Sequence, residues 1–386
     1  MYAASRMWRM ILTRPAESSL GCHRNGMERV EGGWIYDGPA ADRLWHKSAI
    51  GRPISDGCLI LTACELIFCR DHRHVEFPSD DWLMGVMREG GDAILEGVIM
   101  EALRVPGNKI VLKGNLDSMG LEHSEESWGL RWVSDMHPRN DSPVAEVRWF
   151  TDTEHFDAKK DLYQWTKEVE ERGRIAEAIV IDEELSVVTY HLSIANPTGI
   201  LEPPSEEGFM KISCRDYVET HTGGAFFTDT DEWPSEAIGV PIHGGRQLDW
   251  VERELVHVLG NSSFDFDIDS FSTGLTIPEL GMTRTASLLK ELWDRGLNTR
   301  SGFKFGTTWR CYAGPIGEEH APWLINDPDD GGKIVSDWGR ACLTSRLASG
   351  VNKHWICPID VSTGDWRFLE ISRPPADSRW SNPSKR

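Results

Sequence analysis

Apolar positions recur at helical spacing in two segments near the C-terminus. Residues 284–295 place four apolar side chains on one face and end before Gly296, which predicts an amphipathic helix. Residues 334–349 repeat the pattern and predict a second helix that ends at Gly350. The side chains that we expect to face inward from the second helix are Val335, Trp338, Cys342 and Leu343.

Short strand-like segments separate and follow these helices. Residues 302–305 and 308–313 are predicted strands, and residues 351–357 alternate between apolar and polar positions as a third strand. A turn at 362–365 leads into a strand at 366–372. The order of helix, strands, helix and hairpin predicts an α+β unit built on a small mixed sheet.

The chain also resembles itself at an offset of about half its length. AIGRPI at 49–54 matches AIGVPI at 237–242, and each motif is followed by an apolar-rich run that contains Glu-Leu. The hairpin-like pattern at 181–193 matches residues 359–372 at an offset of 178 to 179. These matches predict two tandem copies. Chance similarity of short strand-turn patterns is the alternative.

Polar residues punctuated by proline predict a linker between the copies. The predicted chain is α+β, with two tandem repeats that each contain an N-terminal α/β subdomain and a C-terminal small mixed-sheet subdomain. The second small-sheet subdomain is expected at about 284–375. We expect the final residues to form a frayed tail. The expected arm, first repeat, linker, second repeat and tail are residues 1–29, 30–195, 196–208, 209–375 and 376–386.

The charge of the chain differs sharply along its length. The 386 residues include 41 Lys and Arg and 61 Asp and Glu, which give a formal net charge of −20. As an average, this acidity argues against a nucleic-acid-binding protein, because phosphate contacts need clustered basic residues. Residues 1–283 carry a net charge of −23, however, and residues 284–386 carry +3. The C-terminal segment therefore stays a candidate nucleic-acid-binding region.

The remaining composition is typical of a globular protein, with 40% hydrophobic and 26% charged residues. No segment approaches the roughly 18 apolar residues that a membrane span requires, so we expect no membrane association. The eight cysteines contain no CxxC pair. This spacing argues against a zinc site and favours reduced thiols in a cytoplasmic protein.

Three residues of the basic C-terminal segment suit RNA cleavage by the substrate's own 2′-hydroxyl. That reaction needs a base for the 2′ proton, an acid for the 5′ leaving oxygen and a cation beside the developing phosphorane charge. Tyr312, His320 and Lys353 have the side chains for these roles. No metal is required, because the nucleophile belongs to the substrate. Taken singly, residues of these types are structural or merely exposed in most proteins.

The motifs around these residues resemble the catalytic repeat of the archaeal tRNA-splicing endonucleases. That family shows a KFG segment, a YxGDP loop, a HA pair and a lysine preceded by a helix that contains arginine. The sequence departs from the family at Ile316, where the loop often has Asp, and in an insertion at 326–333. The corresponding residues occur in the same order, as Lys304-Phe305-Gly306, Tyr312-Ala313-Gly314-Pro315, His320-Ala321, Arg346 and Lys353.

The resemblance implies a metal-independent endoribonuclease that excises introns from precursor tRNA at a bulge–helix–bulge motif. Tyr312 would be the general base, His320 the general acid and Lys353 the cation that stabilises the transition state. The products would be a 2′,3′-cyclic phosphate and a 5′-hydroxyl. The resemblance implies no cofactor.

The resemblance also implies contacts to RNA and to a partner subunit. Arg346 would hold a flipped-out bulge base with Trp366 as its aromatic partner, and Lys304 would be a further RNA-binding residue. Members of the two-repeat form pair as homodimers, in which an acidic loop of the non-catalytic repeat docks against the partner. Asp182-Glu183-Glu184 is the corresponding turn here, and a solvated charged turn is an equal alternative.

The first repeat is expected to have kept the scaffold and lost the catalytic residues. The first-copy residues that align with Arg310, Tyr312, His320 and Lys353 are Arg131, Val133, Asp141 and Ile175.

Two other functions stay open at this point. A metal-dependent nuclease would need carboxylates near Lys353, and residues 338–359 contain none. A non-catalytic RNA-binding or assembly subunit of an RNA-processing complex would not use the three residues at all.

Overall fold

A computed structural model of the chain describes residues 27–260, 276–329 and 335–383. The predicted N-terminal arm lies almost wholly outside the described residues. The chain divides into two compact units. Of the described residues, the first unit contains 27–154, 165–192 and 373–383, and the second contains 155–164, 193–260, 276–329 and 335–372.

The first unit contains a small antiparallel sheet and a series of longer strands that carry helices. The small sheet has the order β1-β2-β4-β3. Strands β5 to β9 lie side by side in chain order, with β7 and β8 parallel and the other neighbours antiparallel. The strands β1 to β9 are Arg29–Val30, Gly33–Tyr36, Arg52–Ser55, Cys58–Leu61, Lys109–Leu112, Gly129–Trp132, Ala145–Thr151, Ile175–Ile181 and Val187–Ala195. The helices α1 to α6 are Ala41–Ser48, Ala63–His72, Trp82–Arg88, Ala93–Arg104, Lys113–Leu116 and Gln164–Glu171.

The second unit repeats this order of pairings. Its small sheet has the order β10-β11-β13-β12, and β16 to β20 lie side by side with β18 and β19 as the parallel pair. The strands β10 to β20 are Val218–Glu219, Ala225–Phe227, Val240–Ile242, Gly245–Leu248, Thr276–Ile277, Met282–Thr283, Asn298–Ser301, Trp309–Tyr312, Trp323–Ile325, His354–Ser362 and Asp365–Ser372. The helices α7 to α10 are Glu206–Ser213, Trp250–Leu259, Arg284–Asp294 and Trp338–Gly350. The predicted α+β class is confirmed.

The AIG-x-PI motif has the same structural role in both units. Gly51 and Gly239 have φ of +80° and +72°, a backbone conformation that favours glycine. Gly51 donates its N–H to Glu65 at 2.8 Å, and Gly239 donates its N–H to Glu252 at 2.9 Å. The matching glutamates are therefore Glu65 and Glu252. The Glu-Leu match in the sequence pointed instead to Glu254, two residues further on.

Two predicted elements near the C-terminus differ in the structure. Residues 302–305 are not a strand, because Phe303–Phe305 form a single 3₁₀ turn that ends at Gly306 with φ of +70°. The helix predicted at 334–349 begins at Trp338, where the Asp337 side chain accepts the N–H of Arg340. Its residue Leu343 was expected to face inward and is 58% exposed.

The linker and the tail are more ordered than the sequence suggested. Residues 206–208 of the predicted linker belong to α7, whose first turn is capped by Ser205. In the first unit, Trp380 of the tail is 8% exposed and donates its indole N–H to Glu177 at 3.1 Å. Asn382 accepts the Val187 N–H at 2.8 Å. The prediction that the tail frays was therefore wrong for its described residues, because long-range contacts hold it.

Candidate active site

Three strand ends meet at one edge of the second unit. β17 runs antiparallel to β18, and β18 runs parallel to β19. The end of β17 therefore lies beside the starts of β18 and β19. Trp323 marks this row, because it pairs with Cys311 on one side and with His354 on the other. Tyr312 follows Cys311 in the chain and Lys353 precedes His354, while His320 lies three residues before Trp323.

Tyr312 is the last residue of β17 and is 9% exposed. Its strand neighbour is Asn298 of β16. The guanidinium carbon of Arg310 lies 5.7 Å from the centroid of the Tyr312 ring. Tyr312 and Arg310 are two residues apart in a strand and therefore share one face of the sheet.

Lys353 lies directly before β19, with its ammonium group held in a defined environment. The ammonium donates to the Ala321 carbonyl and lies 5.6 Å from the centroid of the Phe305 ring. Burial lowers the pKa of Lys353 below its ordinary 10.5, and the positive charge of Arg310 lowers it further. A cation fixed in this way can stabilise a developing negative charge.

His320 lies in the loop between β17 and β18 and is exposed to solvent. Ala321, the next residue, is 3% exposed and provides the carbonyl that accepts the Lys353 ammonium. The loop is also bridged between Ile316 and Glu319. The chain is therefore anchored on both sides of an accessible imidazole.

The assignment of Trp366 as a base-stacking residue was wrong. Trp366 is 1% exposed, and its indole N–H donates to Ser287 of α9 at 3.2 Å. Phe368 on the same strand face is also 1% exposed. Both rings are buried in the core between α9 and the sheet, so neither has an exposed face on which a nucleotide could stack.

The two other predicted RNA-binding residues are on the surface of the second unit. Arg346 is exposed on α10, between Leu343 and Leu347, which are 58% and 50% exposed. Lys304 is exposed in the 3₁₀ turn, next to the Phe305 ring that contacts Lys353.

Sequence reasoning gave no role to Arg310 or Phe305, which both contact the predicted catalytic residues. The available signal for Arg310 was its two-residue spacing from Tyr312 in a predicted strand. Phe305 had no such signal, since residues 302–305 were expected to form a strand. Only the 3₁₀ turn brings its ring to Lys353.

The acidic turn of the first unit connects β8 and β9. The Asp182 carboxylate accepts the Ser186 N–H at 2.7 Å, and Leu185 has φ of +63°. Asp182 therefore shapes the turn. The side chains of Glu183 and Glu184 are exposed.

The alignment of Arg310 with Arg131 is not reproduced by the strands. Arg131 pairs with Ala145, the first residue of β7, whereas the residue that pairs with Trp323, the first residue of β18, is Cys311 and not Arg310. Arg310 lies between Trp309 and Cys311, which pack in the core with α9, so its side chain points to the opposite face. A shift of one residue in a strand reverses the face of every side chain, and the sequence offset was wrong by that amount here.

No helix within the described ranges is long and apolar enough to cross a bilayer. No group of three or more His, Cys, Asp or Glu side chains within the same ranges is close enough to hold a metal ion.

Comparison with known proteins identifies the segment that carries the site. Residues 283–368 match the family described as tRNA intron endonuclease, catalytic C-terminal domain. The tRNA-splicing endonuclease of Methanosarcina acetivorans is 28% identical over 218 residues, which are 50% of this chain and 57% of that protein. The tRNA-splicing endonuclease of Picrophilus torridus is 25% identical over 195 residues, which are 50% of this chain and 55% of that protein.

The matches therefore cover little more than half the length of these relatives. A third relative, the tRNA-splicing endonuclease of Methanococcoides burtonii, is 24% identical over 215 residues, which are 50% of this chain and 57% of that protein. The family match and the three archaeal relatives confirm that this chain resembles the archaeal tRNA-splicing endonucleases, with the catalytic-domain similarity in the segment that contains Tyr312, His320 and Lys353.

Proposed function

We propose that this chain is an endoribonuclease that excises introns from precursor tRNA at a bulge–helix–bulge motif, without a metal ion. The observation that carries the proposal is that Tyr312 and Lys353 adjoin neighbouring strand ends, and that Lys353 is bonded to the residue after His320, within the segment that matches the catalytic domain. The three side chains supply a proton acceptor, a proton donor and a cation, which together satisfy transesterification of RNA.

The proposed reaction uses the 2′-hydroxyl of the nucleotide before the cut as nucleophile. Tyr312, as the phenolate, takes the 2′ proton and becomes the phenol as the bond from the 2′ oxygen to phosphorus forms. His320 donates a proton to the 5′ oxygen as its bond to phosphorus breaks. Lys353 stabilises the charge on the non-bridging oxygens. The products are a 2′,3′-cyclic phosphate and a 5′-hydroxyl, and Tyr312 and His320 return to their starting protonation states by proton exchange with solvent.

The contacts of Lys353 support its role as the cation. The Ala321 carbonyl and the Phe305 ring orient the ammonium. Ala321 directly follows His320. The hydrogen bond from Lys353 to the Ala321 carbonyl therefore links the proposed cation to the loop that carries the proposed acid. Such preorganisation lowers the reorganisation needed in the transition state.

The exposed basic residues suit recognition of splayed nucleotides. Arg346 is proposed to hold a bulge base by stacking and hydrogen bonding, and Lys304 to contact the backbone. Both side chains are exposed in the second unit. The aromatic partner of Arg346 is not Trp366, which is buried.

We further propose that the chain is a tandem duplication that assembles as a homodimer. The two units share the order of strand pairings and the same glycine-to-glutamate hydrogen bond. The acidic turn at Asp182-Glu183-Glu184 is the proposed docking element, since two of its carboxylates are exposed. Buried thiols at Cys64, Cys69, Cys311 and Cys357 suit the reducing cytoplasm as the place of action.

The test is cleavage of a bulge–helix–bulge RNA by the full chain in EDTA. We expect two cuts, one in each bulge, with 2′,3′-cyclic phosphate and 5′-hydroxyl ends identified by end-specific enzymes or mass spectrometry. Activity that disappears in EDTA and returns with magnesium would contradict the mechanism. Tight RNA binding without cleavage under every condition would favour a non-catalytic RNA-binding subunit.

A further inference from the structure

Arg310 stands out at the candidate active site because its charge has no partner among the residues that the structure describes. Its Nε–H is shielded from solvent and donates to no acceptor among the described residues. Within the same ranges it forms no ion pair. A buried donor without an acceptor is costly, and native proteins keep few of them.

The strand neighbour of Arg310 shows how the same fold satisfies an arginine internally. Arg300 pairs with Arg310 across β16 and β17, so both side chains lie on one sheet face. The Arg300 guanidinium donates to backbone carbonyls that include Thr299 at 2.6 Å and Gly239 at 3.2 Å. The Arg300 guanidinium is therefore hydrogen-bonded within the protein, whereas the Arg310 Nε–H has no acceptor among the described residues.

Arg310 also adds to a local excess of positive charge. Its guanidinium lies over the Tyr312 ring, and its charge contributes to lowering the pKa of Lys353, after burial as the larger cause. Two cations held near each other repel unless an anion lies between or beside them. The arrangement is destabilising in the free protein and favourable once an anion is bound.

The anion expected at this position is a phosphate of the RNA. A guanidinium presents two parallel donors that match two phosphate oxygens, which an ammonium does not do. Building on the proposed function, we propose that Arg310 binds the non-bridging oxygens of the phosphate at the cleavage site, together with Lys353. Arg310 is then a fourth residue that contacts the reacting group.

The experiment compares the full chain with the variants Arg310→Gln and Arg310→Lys. Arg367→Gln is the matched control, since Arg367 is ion-paired with Asp365 at 2.7 Å and is no part of the site. Three quantities are measured: the single-turnover cleavage rate, the salt dependence of binding to a bulge–helix–bulge RNA with 2′-deoxy residues at the cuts, and the melting temperature.

We expect Arg310→Gln to slow cleavage by about 10²-fold or more, the usual effect of removing one donor to a transition-state oxyanion. The plot of log affinity against log salt concentration has a negative slope, and its magnitude should decrease by about 0.7 to 0.9, the value for one lost phosphate contact. Arg310→Lys should recover part of the rate, because lysine keeps the positive charge. It should not recover the full rate, because lysine lacks the two parallel donors of the guanidinium. The melting temperature should stay unchanged or rise, because repulsion with Lys353 is removed. Arg367→Gln should change none of the three quantities appreciably.

The outcomes separate the inference from the proposed function. If the wild type cleaves and Arg310→Gln keeps its rate and salt slope within twofold, the inference is overturned and the proposed function stands. A lower melting temperature with an unchanged salt slope would make Arg310 structural and also overturn the inference. If the wild type binds the RNA uncut, the proposed function fails. In that case a reduced slope in Arg310→Gln still supports the phosphate contact, and an unchanged slope overturns it.

Discussion

His320 is the residue whose removal tests the proposed chemistry with least disturbance to the protein. It is exposed, so replacing it leaves no cavity. We expect His320→Ala to lower the single-turnover cleavage rate by at least about 10²-fold, because the 5′ oxygen then leaves without a positioned proton donor. His354→Ala is the matched control. His354 is also exposed, follows Lys353 and is bonded to Glu370 at 2.7 Å. A His320→Ala rate equal to that of the wild type would remove His320 from the site.

Arg131 shows the opposite use of an arginine, as a buried structural cation of the first unit. It donates to both oxygens of Glu177 at 2.6 and 2.7 Å, and the two side chains are 4% and 0% exposed. Burial by itself would raise the pKa of Glu177. Hydrogen bonds from His191 and Arg131 and the charge of Arg131 outweigh burial and hold the pKa below its ordinary 4.5.

This pair predicts how stability depends on pH. A carboxylate whose pKa is lowered by folding stabilises the protein above its unfolded pKa, and that contribution is lost as pH falls through the folded pKa. The wild type should therefore lose stability below about pH 4.5. We expect Arg131→Met to cost about 3–5 kcal/mol at pH 7, because it leaves the buried Glu177 carboxylate without its arginine and with only the contacts of His191 and Trp380. Part of that loss should be recovered as the pH is lowered towards 5. Urea unfolding between pH 4 and 7 measures both effects, and a uniform loss at every pH would contradict them.

Among the elements, the segment after β9 directly supports the loop between β17 and β18, which contains His320. Gly199 donates to the Arg295 carbonyl at 2.8 Å, and Ile200 donates to the Ala313 carbonyl at 2.8 Å. Ala313 is the residue after Tyr312. A Cβ at Gly199 would lie 2.0 Å from the carbonyl oxygen of Gly296, so the backbones approach too closely for any other residue.

Gly199→Ala is therefore expected to displace this segment from the loop. We expect a loss of about 1–3 kcal/mol in the free energy of unfolding, the usual cost of overpacking, together with slower cleavage. Gly85→Ala is the control, because a Cβ at this helical position meets nothing within 4 Å. That change should stabilise the protein by about 0.5–1 kcal/mol. Thermal unfolding and single-turnover rates check both variants, and an unchanged Gly199→Ala protein would contradict the support role.

For the whole molecule, the division of charge acquires a structural meaning. The net +3 of residues 284–386 coincides with the part that carries the candidate site, and the net −23 belongs to the remainder. An acidic surface away from the site is compatible with RNA binding, because phosphate contacts depend on local charge. It also suits docking against a basic partner surface.

The proposed homodimer has a mass of about twice the 43.6 kDa of the chain. Light scattering after gel filtration should report that mass. Glu183→Ala combined with Glu184→Ala should shift it towards the monomer, while Asp182 stays to hold the turn through Ser186. The control removes two exposed acids of α6 by Glu170→Ala with Glu171→Ala and should leave the mass unchanged. A monomeric wild type at working concentration would contradict the dimer.

Local patterns in the sequence determined the elements whose signals are contained in a few residues. The helix expected at 284–295 is observed as Arg284–Asp294, and the turn expected at 362–365 separates β19 from β20. Helical periodicity, a capping residue and a tight turn act within about one turn of chain, so no distant contact is needed to read them. The motifs also identified the family resemblance, because they preserve residue types in order.

Only the tertiary structure decided which side chains are available for chemistry. Trp366 is buried because its strand face packs on α9. Arg310 lies on the sheet face opposite to the one that packs on α9, because it is one residue away from the buried Cys311 in the strand. Trp380 is fixed by Glu177, which lies 203 residues away in the chain. Burial and charge pairing depend on segments that meet only after folding. A residue's type therefore indicated what it can do, and its packing decided whether a substrate can reach it.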